Sequence, residues 1–282
     1  MALACKAGTR VLLNYFKPLE SSTFEENDKT GMKIGLALSG GGAKGIVHAG
    51  VIKAILERNI TISHIAGTSA GALIGALFAA GIPVEDMLHF FEKSNLFHPR
   101  KYAFNQAGFI KSSLFATQIS AIIAQDNFES LNIPLSITAT DINNVTSVVF
   151  NTGPLYEPLL ASAAFPGIFT PVEFQGNTYI DGGVINNFPA DLLADCDVII
   201  GSYTNKVDSY NSKKLKRSYD VANRAFCINQ FSKDSTKFDL CDVLIMPSHL
   251  QDYGLFSFKG LEKIYQMGYD TASKELDAST FF

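Results

Sequence analysis

Tryptophan is absent from this chain of 282 residues, and cysteine occurs only four times. The cysteines form no CxxC pair and have no histidine at metal-ligand spacing, so the sequence predicts neither a zinc site nor a disulfide framework. We expect no metal ion and no cofactor. The 23 basic residues do not outnumber the 27 acidic ones, and a net charge of −4 argues against nucleic acid as a partner.

The chain also lacks a long apolar run. Its longest strictly apolar stretch, residues 70–82, covers 13 positions and is shorter than the roughly 18 of a membrane-spanning helix, so it predicts a buried helix. Near the N-terminus, Asn14 interrupts a short apolar cluster, and no signal-peptide cleavage site follows. We therefore expect a cytoplasmic protein rather than a secreted one.

What the chain does have is apolar residues for a large core, at 47% of its composition. A polar, turn-forming stretch at residues 21–31 precedes the first apolar strand. We expect residues 1–31 to be a leader or linker, residues 32–277 to form a single domain, and residues 278–282 to be a tail. The sequence does not predict an oligomeric state.

Two strand-helix units in succession indicate an α/β fold with three layers, in which helices cover a mostly parallel sheet. A hairpin around Asn143 and Asn144 makes that sheet mixed. Strands are expected over residues 33–39, 60–66, 135–142, 146–150, 172–174, 178–180, 198–203 and 243–246. Helices are expected over residues 47–55, 70–80, 83–94, 112–125, 155–164, 219–231 and 261–275.

A G-x-S-x-G pattern spans Gly67 to Gly71, with Ser69 at its centre. It lies between an apolar strand and a helix rich in small residues, which is the context of a nucleophile elbow. The N–H groups at the start of that helix would point at whatever Ser69 attacks. A merely structural turn is the alternative.

A second glycine-rich turn, Gly40 to Gly45, again joins a strand to a helix. It fits G-x-G-x-x-G, but a dinucleotide site also needs a carboxylate at the end of the second strand, and the Ser69 turn lies there instead. A P-loop is excluded because Ile46 follows Gly45 where lysine is required. The favoured interpretation is an oxyanion hole, in which glycine amides donate to a developing alkoxide.

Ser69 needs a base, and the sequence offers two arrangements. Asp181 precedes two glycines at the end of a strand, which suits a Ser-Asp pair. Alternatively, the order Ser69, Asp181, His249 fits the triad of an α/β-hydrolase, since His249 is the only histidine downstream of Asp181.

Together these motifs resemble the patatin-like lipid acyl hydrolases. The glycine loop resembles that family's oxyanion loop, Gly67 to Gly71 its nucleophile elbow, and Asp181-Gly182-Gly183 its catalytic acid motif. Residues 161–169 and the Asn187-Phe188-Pro189 segment are also similar to it. The resemblance implies a patatin-like fold, a phospholipase-type ester hydrolase and a Ser69-Asp181 dyad that needs no histidine. It also implies an oxyanion hole formed by Gly40, Gly41, Gly42 and Ala70.

Several expectations about substrate and partners follow. Lys44 either contacts a substrate phosphate or merely solvates the first turn of its helix. A lipid or phospholipid ester is the expected substrate. The basic cluster from Lys213 to Arg217 is either a solvated loop or a surface attracted to anionic lipid head groups, which would give peripheral membrane contact. The competing hypothesis from a different class is a lipid-binding or interaction protein with an inactive site.

Overall fold

The computed structural model describes residues 31–93, 112–207, 209, 215–216, 218–255 and 259–282. Most of the predicted leader lies outside the described residues, as do Lys213, Lys214 and Arg217 of the predicted basic cluster.

A central sheet of eight strands organises the described part of the chain, in the order β5-β6-β3-β2-β1-β7-β8 with β4 also paired to β3. Neighbours among β3, β2, β1, β7 and β8 run parallel, and the pairs β3/β4, β3/β6 and β5/β6 run antiparallel. The sheet is therefore mixed, as predicted. The strands are β1 Ile34–Leu38, β2 His64–Thr68, β3 Leu135–Asp141, β4 Thr146–Phe150, β5 Val172–Phe174, β6 Asn177–Asp181, β7 Val198–Ser202 and β8 Val243–Ile245.

Seven α-helices are described around this sheet, together with shorter 3-10 helices that include Gly42–Ile46, Pro189–Leu193 and Ser235–Leu240. None of the helices in the described ranges is both long enough and apolar enough to cross a bilayer. The α-helices are α1 Val47–Glu57, α2 Ala70–Ala79, α3 Val84–Lys93, α4 Ser112–Ser120, α5 Tyr156–Ser162, α6 Ser218–Asp234 and α7 Leu261–Asp277.

The two faces of the sheet pack against different layers. Because strand side chains alternate between faces, Leu36 and Leu38 of β1 join the larger core, whereas Ala37 joins a smaller one. The smaller core contains the rings of Phe188 and Tyr203, whose centroids lie 5.5 Å apart. Two cores on opposite faces make the fold three-layered, which confirms the predicted architecture.

Predicted elements and observed ones differ mainly at their ends. The second strand begins at His64 rather than at residue 60, because the Ile60 N–H bonds back to Ile55 and only the segment from His64 onward pairs with β1. Helix α4 ends at Ser120, five residues before its predicted end. The glycine loop leads into a 3-10 turn rather than directly into α1.

The order of the parallel strands positions the site. Adjacent strands β2, β1 and β7 end at the same edge of the sheet, as parallel neighbours must. Ser69 directly follows β2, the glycine loop follows β1, and Asn205 lies in the loop after β7. Carboxyl ends of parallel strands are where open α/β sheets place their ligands.

Candidate active site

Ser69 occupies a sharp turn between β2 and α2. Its φ of 53° and ψ of −119° lie in a region that residues with side chains rarely adopt. The Ser69 N–H donates to the Ser162 hydroxyl at 2.7 Å, which helps to hold this backbone. A Cβ on Gly71 would lie 2.6 Å from the Ser39 carbonyl oxygen, so the helix can approach β1 only with glycine there. The predicted strand-turn-helix at Ser69 is confirmed.

Asp181 is the last residue of β6 and is only 4% exposed. Its Oδ1 accepts the Gly183 N–H at 2.7 Å, and the Ser69 side chain lines the same pocket, close enough to lower the pKa of this carboxylate. Burial raises the pKa of Asp181 to about 6, and the interactions with Gly183 and Ser69 oppose the rise. The structure thus brings the two predicted residues together and gives the carboxylate a proton affinity near neutral pH.

Three backbone amides near Ser69 are available as donors. In the described part of the chain, no acceptor contacts the N–H of Gly41, Gly42 or Ala70. Gly42 has a φ of 58°, and a Cβ there would lie 3.0 Å from Leu255 Cγ. Free N–H groups beside a nucleophile can bind the negative oxygen of a tetrahedral intermediate.

Gly40 does not fit the predicted set of donors. Its N–H donates to the Asn187 carbonyl oxygen at 3.1 Å, so the prediction that it contributes to an oxyanion hole is wrong for this amide. Its own carbonyl oxygen accepts from Thr204 Oγ1 at 2.5 Å and from Asn205 Nδ2 at 3.1 Å. Both the N–H and the carbonyl of Gly40 are therefore already hydrogen bonded, and Gly41 is the first residue of the loop whose N–H contacts no acceptor in the described part of the chain.

Lys44 is buried, with 7% exposure, so the expectation that it merely solvates a helix turn is wrong. Its Nζ donates to Asn205 Oδ1 at 2.7 Å, and burial lowers its pKa to about 8. The ammonium lies at a cavity of about 310 Å³ whose lining carries both signs of charge, from Lys206 and Arg224 and from Asp220 and Asp252. A buried cation is costly unless an anion compensates it, so an anionic group beside the Lys44 ammonium would be stabilised.

The pocket beside Ser69 is small, with about 30 Å³ of free space, room for about two water-sized groups. It shares Asn205 and Cys227 with the larger cavity, so the two are neighbours. The rings of Phe165 and Phe226 meet edge to face beside it, with centroids 5.8 Å apart.

The histidine of the alternative triad lies elsewhere. The His249 side chain is 80% exposed and faces Asp252, with Nδ1 3.8 Å from a carboxylate oxygen. Within the described residues, the lining of the Ser69 pocket contains no histidine. The triad therefore has no support from the structure.

His48 is fully buried beneath the glycine loop instead. Its Nε2 lies 2.8 Å from the Ser39 carbonyl oxygen, and its Nδ1 lies 2.7 Å from the Ser202 hydroxyl. Because burial lowers its pKa to about 4, the imidazole is neutral and donates from Nε2 to the carbonyl. His48 thus supports the end of β1 without facing the pocket.

Sequence reasoning missed several polar residues of the site. Asn187 belongs to the Asn187-Phe188-Pro189 segment noted for its resemblance, so a signal for it existed. The others follow no local pattern, since they reach the site only through the packing of α6 and β7. The missed residues are Asn187, Thr204, Asn205, Gln230 and Asp234.

A family model described as Patatin-like phospholipase matches residues 36–194, more than half of the chain. The chain belongs to this family. The match includes the glycine loop, the Ser69 turn and Asp181. The dinucleotide interpretation of the glycine loop accordingly has no support.

Relatives of this family member include longer proteins. An uncharacterized NTE family protein of Mycobacterium bovis is 34% identical over 57% of this chain and 46% of its own length. Lysophospholipase NTE1 of Mycosarcoma maydis is 25% identical over 88% of this chain, which corresponds to 15% of the fungal protein. The chain thus spans less than half the length of these relatives. The crystal structure of VipD from Legionella pneumophila superposes with a TM-score of 0.57 at 15% identity, covering 88% of this chain and 67% of VipD, and shows a shared fold.

Proposed function

We propose that this chain is a lipid acyl hydrolase, a carboxylic ester hydrolase of the phospholipase or lysophospholipase type. The observation that carries the proposal is the position of the Ser69 side chain beside a buried Asp181 carboxylate whose pKa is raised to about 6, in a pocket with three backbone amides that contact no acceptor. Family membership and the name of the fungal relative support the same substrate class.

In the first half-reaction, Ser69 Oγ attacks the ester carbonyl carbon while its proton passes to Asp181. The carbonyl oxygen becomes an alkoxide, which the amides of Gly41, Gly42 and Ala70 stabilise; each such donor is worth roughly 100- to 1,000-fold in rate. Collapse of the intermediate breaks the bond to the alcohol, whose oxygen takes the proton back from Asp181. An acyl group then remains on Ser69.

In the second half-reaction, water attacks the acyl carbon and Asp181 accepts a proton from that water. The same three amides hold the second alkoxide. Collapse releases the fatty acid, and the proton returns to Ser69 Oγ. A pKa of about 6 suits Asp181 to both directions of transfer at neutral pH.

A fluorophosphonate probe tests the proposal directly, because it modifies only an activated serine. We expect labelling of the wild-type protein at Ser69, and loss of labelling and ester hydrolysis in Ser69→Ala. Asp181→Asn should lose hydrolysis. His249→Ala and Ser120→Ala, which alter exposed residues, are matched controls and should label normally. An unlabelled wild-type protein that binds lipid would favour the lipid-binding hypothesis, and loss of activity in His249→Ala would restore the triad.

We further propose that α6 contacts anionic membranes with its outer face. Val221 and Ile228 are 52% and 49% exposed, and the spacing of Val221, Ala225 and Ile228 places them on one side of the helix. The opposite side, with Phe226 and Gln230, lines the Ser69 pocket. Residues 206–237 also contain eight basic and three acidic residues, which complements an anionic lipid surface. The cytoplasmic location stays a prediction.

A further inference from the structure

A buried carboxylate to which the mechanism assigns no step lies at the last residue of α6. Asp234 is 2% exposed, and its Oδ2 accepts from Asn187 Nδ2 at 2.8 Å and from the Tyr203 hydroxyl at 2.9 Å. Burial raises its pKa, although these two bonds, the Phe188 N–H and the Lys237 charge all favour the ionised form. A carboxylate at the negative end of a helix dipole and out of water is unfavourable for folding.

Asn187 connects Asp234 to both halves of the site. Its backbone oxygen holds the Gly40 N–H, and its side-chain Oδ1 packs against Gly40 so closely that a Cβ there would overlap it. The same Oδ1 would lie 3.0 Å from a Cβ on Gly183, the residue whose amide binds Asp181. One side chain thus separates the oxyanion loop from the turn after Asp181.

The charge of Asp234 fixes which way the Asn187 amide faces. An ionised carboxylate only accepts hydrogen bonds, so it must meet the Asn187 NH₂ group, and the Asn187 oxygen must then face Gly40 and Gly183. With a neutral amide at position 234, either orientation of Asn187 could be satisfied.

Gln230, one turn earlier on α6, makes a second connection between the same two loops. Its Nε2 donates to the Gly183 carbonyl at 3.0 Å, and its Oε1 accepts from Asn205 Nδ2 at 3.1 Å. Asn205 Nδ2 also donates to the Gly40 carbonyl. That carbonyl belongs to the peptide unit that carries the Gly41 N–H, and in a planar trans peptide the two point in opposite directions. The hydrogen bond from Asn205 to the Gly40 carbonyl therefore fixes the direction in which the Gly41 N–H points.

We propose that Asp234 and Gln230 of α6 are positioning residues for acyl transfer. Acting through Asn187 and Asn205, they set the oxyanion donors relative to Ser69 and Asp181. The inference rests on the proposed function for its kinetic consequence, whereas the ordering of the glycine loop can be measured independently of it.

The test compares Asp234→Asn with Tyr203→Phe. Asp234→Asn preserves size but removes the charge that orients Asn187, so we expect kcat to fall by about 10- to 100-fold with little change in KM, a part of the effect of losing one oxyanion donor. Its Tm should not fall, because a buried charge disappears. Tyr203→Phe deletes the hydrogen bond from the Tyr203 hydroxyl to Asp234 and should lower Tm while kcat changes less than about threefold.

Rescue provides the specific readout. Combining Asn187→Asp with Asp234→Asn exchanges the partners and again leaves an oxygen facing the glycines, so kcat should recover by about tenfold over Asp234→Asn alone. In this double variant the carboxylate is at position 187, closer to Asp181 than position 234 is. It should raise the pKa of Asp181 and so move the acid side of the pH-rate profile to higher pH.

Hydrogen-deuterium exchange separates this inference from the proposed function. In Asp234→Asn, residues 39–46 should exchange about tenfold faster than in wild type, and in Tyr203→Phe they should not. If the wild-type protein fails to label at Ser69, the proposed function fails, and the exchange result still decides the positioning role. Unchanged hydrogen exchange and unchanged kcat in Asp234→Asn would overturn the inference. A parallel loss of kcat and Tm in Asp234→Asn would also overturn it, if the double variant with Asn187→Asp does not restore them.

Discussion

At the scale of single residues, the chemistry of the site depends on how Asp181 binds its proton. An ordinary aspartate titrates near 3.9 and is a weak base at neutral pH. Burial raises the pKa of Asp181 to about 6, which strengthens it as a base while leaving most molecules ionised at pH 7. The reaction requires the ionised form, so protons should inhibit it.

The first prediction concerns this pH dependence. We expect kcat/KM for a soluble short-chain ester to rise with pH through a midpoint near 6 and to level off above it, because only ionised Asp181 accepts the Ser69 proton. Steady-state rates across the acid and neutral range provide the measurement. A profile that stays flat down to the ordinary aspartate range would contradict the assigned base.

The same shift predicts a cost to stability. The folded pKa of about 6 exceeds the ordinary aspartate value of about 3.9, so between these pH values the folded state holds a proton that the unfolded chain has released. The free energy of unfolding therefore falls as pH rises from about 4 to about 6 and stays lower above that range, by up to about 3 kcal/mol from this group. Asp181→Asn should raise Tm at about pH 8 and lose that advantage near pH 4. Thermal unfolding at both pH values decides this, and equal Tm differences would refute it.

Lys44 allows a prediction about the substrate head group. If its ammonium binds a phosphate, Lys44→Gln should lower kcat/KM for a lysophospholipid about tenfold more than for a monoacylglycerol with the same acyl chain. Glutamine can still donate to Asn205, which protects the fold. Lys53→Gln, at a surface position, is the matched control. Equal losses on both substrates would exclude a phosphate contact. Since the pKa of Lys44 is about 8, the wild-type preference should weaken above that pH.

At the scale of elements, the Ser69 turn depends on close approach between α2 and β1. Gly71→Ala would force a methyl group against the carbonyl oxygens of Leu38 and Ser39, which are backbone atoms and cannot rotate away. We expect a loss of about 1–3 kcal/mol in unfolding free energy and loss of labelling at Ser69. Gly75→Ala in the same helix meets only side-chain atoms, the nearest at 3.0 Å, and is the control that should keep activity. Similar effects of both variants would disprove the constraint.

The sequence predicts residues that stand in a local pattern better than residues whose role depends on distant parts of the chain. Ser69 and Asp181 were predictable because each stands in a local glycine pattern at the end of an apolar strand. Gly40 was assigned wrongly because the partner of its amide, the Asn187 carbonyl, lies far away in the chain. Asp234 and Gln230 were missed for the same reason, since only the packing of α6 brings them to the site. Strand β2 starts at His64, after its predicted start at residue 60, because pairing with β1 and not β propensity sets where the strand begins.

At the scale of the whole molecule, charge is distributed unevenly. Residues 206–237 carry a net charge of +5, which leaves −9 for the rest of a chain whose total is −4. An anionic surface would therefore attract this segment, which includes α6, and repel the remainder of the chain. Because the inner side of α6 lines the pocket beside Ser69, such an orientation brings the site next to the lipid.

The last prediction tests this orientation with vesicles that contain anionic lipid. Replacing Val221 or Ile228 by aspartate should weaken co-sedimentation by at least about tenfold, through lost apolar burial and added repulsion. Val145→Asp is the matched control, because Val145 is 78% exposed in the loop between β3 and β4. Binding of wild type should also weaken as salt rises or when the vesicles are zwitterionic. All variants should hydrolyse a monomeric ester normally, since these side chains point away from the pocket. If Val221→Asp and Ile228→Asp bind vesicles as wild type does, α6 is not the contact surface; if they instead convert a dimer to a monomer, its outer face joins two copies of this chain.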